Sequence, residues 1–91
     1  MGWIITKDNI AEPNEKSRVG VGIDTSDINK KETVRFRTLS DDQEVSYEGL
    51  MSKSWAESSE EYVFSPLDDF ATPDVGDTIL QFYENDKWVD V

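Results

Sequence analysis

Apolar and polar side chains alternate along several short stretches of this chain, and a period of two predicts strands rather than helices. In residues 33–51, alternation puts Val34, Phe36, Val45 and Tyr47 on one side of a hairpin and Arg35, Arg37, Ser46 and Glu48 on the other. A turn at Asp41-Asp42 closes this stretch into an antiparallel hairpin with Phe36 opposite Tyr47, Arg35 opposite Glu48 and Thr38 opposite Val45, all favourable cross-strand types. A second hairpin occupies residues 78–91 and turns at Asn85-Asp86, residues that tolerate the positive φ of a tight turn. Its pairing sets Leu80 against Val91, Phe82 against Val89, Tyr83 against Trp88 and Glu84 against Lys87.

The remaining pattern is weaker. Trp3-Ile4-Ile5-Thr6 reads as a strand, and Val19, Val21 and Ile23, spaced by Gly20 and Gly22, as a short strand with a bulge. Tyr62-Val63-Phe64 reads as a further short strand. Ser54-Trp55-Ala56-Glu57 has the form of a capping box and predicts one helical turn. Residues 8–18 and 24–32 are polar loops, and residues 65–77, with Pro66, Pro73 and Gly76, are expected to form an ordered loop. The predicted fold is all-β or β-dominated α+β: five to six short, mostly antiparallel strands curled into a small barrel or half-barrel. A chain of 91 residues has material for one core, so residues 1–91 make a single domain.

Several segments resemble parts of short bacterial proteins that carry no assigned activity: W-I-I-T-K-D from Trp3, R-F-R-T-L-S-D-D from Arg35, Y-E-G from Tyr47 and P-L-D-D-F-A-T-P from Pro66. The resemblance implies a bacterial origin and an intact small domain. It carries no catalytic residue across.

Composition narrows the chemistry. There is no histidine and no cysteine, which removes the commonest general base, the commonest metal ligand and the best nucleophile, and rules out disulfides and serine–histidine catalysis. An intracellular, cytoplasmic setting is the expectation. The segment from Met1 lacks a basic region and a long apolar run, so it is read as the mature start rather than a signal peptide or a membrane span. It also meets the loose acylation pattern M-G-x-x-x-[ST], although the same residues read as a strand.

Carboxylate pairs at Asp68-Asp69 and Glu60-Glu61 are the candidates for acid–base work, but a chain this short offers little room for a substrate cleft, and the expectation is that it is not an enzyme. The acidic stretches 24–29 and Asp68, Asp69, Asp74, Asp77 lack the alternating ligands, central glycine and closing glutamate of a calcium loop. No metal or cofactor is expected. Gly20 and Gly22 lack the third glycine and the following helix of a phosphate cradle.

Charge is unevenly spread. The formal net charge is −11. Residues 1–37 hold seven Lys/Arg against six Asp/Glu, whereas residues 38–91 hold two against fourteen. Direct binding to nucleic acid is disfavoured, since phosphate contacts need clustered cations.

Tyr83 and Trp88 are the informative aromatics, because the core face of the last hairpin leaves them together on the opposite side. Either the 65–77 loop covers them, with Phe70 the candidate ring, or they form an exposed anchor with an acidic rim. Trp55 carries the same ambiguity, and Trp3 is expected in the core. The functional expectation is a protein-binding module or accessory factor using Tyr83, Trp88, Trp55, Asp68, Asp69, Asp74 and Asp77 against a partner with a basic surface. The alternative is an acidic mimic of nucleic acid, of the kind phages use to inhibit DNA- or RNA-binding proteins.

Overall fold

The computed structural model describes residues 2–11, 15–28 and 32–91. Among these, six strands form one antiparallel sheet: β1 (Trp3–Asp8), β2 (Gly22–Ile23), β3 (Thr33–Leu39), β4 (Val45–Ser52), β5 (Ile79–Glu84) and β6 (Lys87–Asp90). The order across the sheet is β2-β1-β4-β3-β5-β6. The outer strands β2 and β6 do not meet, so the sheet is open, a half-barrel rather than a closed one.

The last hairpin has the predicted register, with Phe82 opposite Val89, Tyr83 opposite Trp88 and Glu84 opposite Lys87. Asn85 and Asp86 take φ of 50° and 65°, the two positive values that a two-residue hairpin turn requires. The first hairpin departs from expectation by two residues. Phe36 faces Gly49, not Tyr47; Arg35 faces Leu50, and Thr38 faces Tyr47. The cause lies in the connection: Gln43 takes φ 64° within a loop closed by Ser40 and Glu44, and Ser46 is an extra residue between the pairs Thr38/Tyr47 and Leu39/Val45. Up to the bulge a shift of two preserves which side chains share a face, so Phe36 and Tyr47 still both enter the core, whereas beyond it Val45 pairs with Leu39 and leaves the side of Tyr47. Ser46 does not keep its expected side and is buried.

Residues 53–75 are more helical than their sequence predicts. α1 (Lys53–Ala56) is capped by Ser52, whose Oγ accepts from the Trp55 N–H at 3.4 Å, so the cap sits two residues before the expected Ser54. α2 (Glu60–Val63) replaces the strand expected at Tyr62. A π-helical turn (Pro66–Ala71) and α3 (Thr72–Val75) replace the expected loop. Pro66 and Pro73 each occupy the first turn of a helical segment, where a missing N–H costs nothing, and Gly76 ends α3 at φ 76°. The predicted Val19–Ile23 strand shrinks to Gly22 and Ile23, because Gly20 turns the chain at φ 95°. Asn29, Lys30 and Lys31, within the expected 24–32 loop, lie outside the described residues.

These helical turns cover one face of the sheet. Trp55, Val63, Leu67 and Ala71 pack with Trp3, Ile5, Phe36, Tyr47, Met51, Leu80 and Phe82 into a single core, each large apolar side chain contributing roughly 1.5 to 3 kcal/mol of burial. Trp3 is 2% exposed, and its Nε1 donates to Ser65 Oγ at 2.8 Å, which ties β1 to the helical layer. Phe70 lies on Tyr47 and Trp3, at ring-centroid distances of 4.8 and 6.1 Å. It therefore does not cover Tyr83 and Trp88, which project from the other face. No helix among the described residues is long and apolar enough to cross a membrane.

Candidate functional site

Alternation along β3, β4, β5 and β6 sends Arg35, Arg37, Glu48, Leu50, Gln81, Tyr83, Trp88 and Asp90 to the face away from the helices. Tyr83 and Trp88 are half-buried cross-strand partners, their rings 5.2 Å apart and inclined at 62°. The expected acidic rim is not what borders them. β3 pairs with β5 through Phe36 and Phe82, and this places two arginines against the rings. The Arg35 guanidinium lies 4.7 Å from the Tyr83 centroid and 5.3 Å from that of Trp88, and the Arg37 guanidinium lies 4.3 Å from Trp88. All three distances fall within cation–π range.

A polar chain holds this cluster. Arg37 Nε donates to Gln81 Oε1 at 2.8 Å, and Gln81 Nε2 donates to Asp90 Oδ1 at 2.8 Å. On the other side Glu48 pairs with Arg35 and with Lys7, each at 3.7 Å. The expected proximity of Arg35 to Glu48 is therefore present, as a diagonal contact rather than a direct cross-strand pair. The face carries Lys7, Arg35 and Arg37 against Glu48 and Asp90, and so differs from the anionic character of the chain as a whole.

The other candidate residues do not join this cluster. Trp55 is 8% exposed, its Nε1 donating to the Tyr62 carbonyl at 2.5 Å while its ring packs on Tyr62, so it serves the core and is unavailable as an anchor. Asp77 is 1% exposed and accepts from Ser46 Oγ at 2.7 Å, which removes it from any surface. Asp74 pairs with Arg18 at 3.4 Å and accepts from the Tyr47 hydroxyl. Asp68 and Asp69 are exposed on the π-helical turn, in the layer opposite Tyr83 and Trp88. The acidic and aromatic surfaces, contiguous in sequence, are thus separated by the thickness of the domain.

Beside Asp74 lies a cavity of about 160 Å³ bordered by Asp8, Glu15, Arg18, Tyr47 and Asp74. It is smaller than the several hundred Å³ usual for a small-molecule site. Its groups have structural work. Asp8 accepts from the backbone N–H groups of Ile10, Ala11 and Arg18 at 2.8 to 2.9 Å. Burial raises the Asp8 pKa, but these bonds and the Arg18 charge outweigh it and leave the carboxyl below its ordinary value. Burial, then the hydrogen bond to Asp74, pushes the Tyr47 phenol well above its ordinary value, so this hydroxyl remains a donor. Among the described residues no group of three carboxylates is arranged to hold a metal ion.

Arg35 and Arg37 are the site residues that sequence reasoning missed. Their parity was visible, but the pairing that brings β3 beside β5 joins segments about forty residues apart and leaves no local signal. Comparison with protein-family models, with curated proteins and with solved structures finds no match.

Proposed function

We propose that this protein is a non-enzymatic binding module that engages another protein through the helix-free face of its sheet, with Tyr83 and Trp88 as anchors. One observation carries the reading: the two rings are half-exposed and held by Arg35 and Arg37 instead of being covered by a loop. Aromatic and arginine side chains are the types that dominate binding hot spots, because they present large, oriented contact area at low entropic cost. The absence of histidine and cysteine from the sequence and the solvated positions of Glu60, Glu61, Asp68 and Asp69 support a role without catalysis.

A second reading, an acidic mimic of nucleic acid, draws on the opposite side of the molecule. Glu57, Glu60, Glu61, Asp68 and Asp69 are all exposed on the helical layer, and no basic residue falls between Ser54 and Asp86.

Retention of cellular proteins on the immobilised chain, at low and high salt, separates the two. A protein bound by the wild type and lost on Trp88→Ala, but indifferent to neutralising Glu60, Glu61, Asp68 and Asp69, supports the module. Capture of nucleic-acid-binding proteins that vanishes with salt and with that neutralisation, and ignores Trp88→Ala, replaces it with the mimic.

A further inference from the structure

The chemistry of the sheet face specifies its occupant more narrowly than the presence of two aromatic rings. A guanidinium stacked on a ring uses its flat face and leaves its in-plane N–H donors pointing outward, where they match the two oxygens of a carboxylate. Arg37 is oriented in this way twice over, by Trp88 at 4.3 Å and by the Nε hydrogen bond to Gln81, itself held by Asp90. Its terminal nitrogens have no hydrogen-bond partner among the described residues. Arg35 stands on Tyr83 and reaches Glu48 only at 3.7 Å, a contact too long for a hydrogen bond. Two oriented cations are thus left with donor capacity unused.

Spacing supplies the second element. Arg35 and Arg37 are alternate residues of one strand, so their stems rise from the same face roughly 6.5 to 7 Å apart. An extended peptide presents its own alternate side chains at that same interval. We infer that the sheet face receives an extended acidic segment of a partner protein, with carboxylates two residues apart meeting Arg35 and Arg37 and the neighbouring chain lying on Trp88.

This inference rests on the binding-module reading and adds the chemistry of the partner. Charge complementarity favours a short acidic segment over nucleic acid. Among the described residues the face bears three cations against two carboxylates, within a chain of net charge −11. The excess of one positive charge, with the unused donors of Arg35 and Arg37, suits a short segment carrying two carboxylates, whereas a nucleic-acid backbone running past the face needs a longer run of cations.

The test is a titration of the whole protein, followed by NMR signals of the Arg Nε–H and Trp indole N–H groups. Its probes are a blocked octapeptide alternating glutamate with threonine, a block isomer of the same composition, and a twelve-nucleotide oligothymidylate. The alternating peptide is expected to bind about tenfold more tightly than the block isomer, shifting Trp88 and Arg37 while leaving Trp3 unmoved. Arg37→Gln and Arg35→Gln are each expected to weaken binding about tenfold with little change in melting temperature. Arg37→Lys, which keeps the charge and loses the fork, is expected to weaken it nearly as much. Equal binding of the two peptides, or wild-type affinity in Arg37→Lys, overturns the inference. Preferential binding of oligothymidylate at the same signals replaces the peptide with a nucleic acid. Failure of the acidic peptide together with Trp88-dependent capture of a protein refutes this inference alone; capture indifferent to Trp88→Ala refutes the module reading beneath it.

Discussion

The ring of Phe36 lies directly over Gly49, its cross-strand partner, so closely that a Cβ built at position 49 falls 2.5 Å from Cζ and 2.8 Å from Cε2 of the ring and also meets the Ile4 carbonyl oxygen. Gly49 thus admits the largest fully buried ring of β3 and the backbone of β1 at once. Gly49→Ala is expected to destabilise the domain by about 1 to 3 kcal/mol through overpacking. In the Phe36→Leu background the added cost falls only in part, since the clash with Ile4 remains. Urea denaturation of the four proteins of this cycle measures the coupling, and an unchanged midpoint for Gly49→Ala contradicts the close approach.

Trp88→Ala is expected to cost about 1 to 2 kcal/mol, the sum of partial burial and two exposed cation–π contacts. Trp3→Ala, which empties a core position and orphans Ser65, is expected to cost about 3 to 5 kcal/mol. Thermal melts of the two variants give the ranking. A loss for Trp88→Ala as large as that for Trp3→Ala returns Trp88 to the core and removes it as an anchor.

Ser52 Oγ accepts from two backbone groups, the N–H of Gly2 at 3.0 Å and that of Trp55 at 3.4 Å. Ser52→Ala therefore frees the start of α1 and the chain leading into β1 together. A loss of about 1 to 2 kcal/mol is expected, with faster hydrogen exchange at the Trp55 amide. Exchange unchanged at that amide rules out the cap.

Ser46 and Asp77 form a buried pair. Asp77→Ala strands the Ser46 hydroxyl and is expected to cost about 1 to 3 kcal/mol. Asp77→Asn keeps an acceptor for the Ser46 hydroxyl, so its cost is expected to be smaller. Equal losses in the two variants exclude the hydrogen bond as the cause.

The Asp8 carboxyl has a folded-state pKa below its unfolded value. Its contribution is therefore fully present above the unfolded aspartate pKa of about 3.9 and is lost as pH falls through the lower folded value. Asp8→Asn is expected to flatten the acid limb of the stability–pH curve below about pH 4 and to leave its shape near neutrality unchanged. Superimposable acid limbs for wild type and variant show that the three backbone bonds to Asp8 do not hold in solution.

The two hairpins show where local chemistry suffices. At Asn85-Asp86 both residues accept positive φ, a two-residue turn leaves one register, and the pairing of Tyr83 with Trp88 follows from the turn alone. Between β3 and β4 the loop is longer and Ser46 is inserted, so from Tyr47 to Met51 the parity survives while the partners shift by two, and at Val45 and Ser46 it does not. In residues 60–76 the prolines and Gly76 punctuate helical turns as readily as they do a loop, and burial of Val63, Leu67 and Ala71 decided for helix.

The sequence by itself determined a strand-rich acidic domain, the final hairpin with its aromatic pair, and the residue types absent from any active site, because each depends on composition or on neighbours within a turn. Only the tertiary structure decided that Phe70 packs on Tyr47 rather than over Trp88, that Trp55 and Asp77 are buried, and that Arg35 and Arg37 stand against Tyr83 and Trp88. Those relationships require β3 beside β5 and a helical layer on one face alone. Both are set by the burial of apolar surface between segments far apart in the chain, a driving force without direction that leaves no local mark in the sequence.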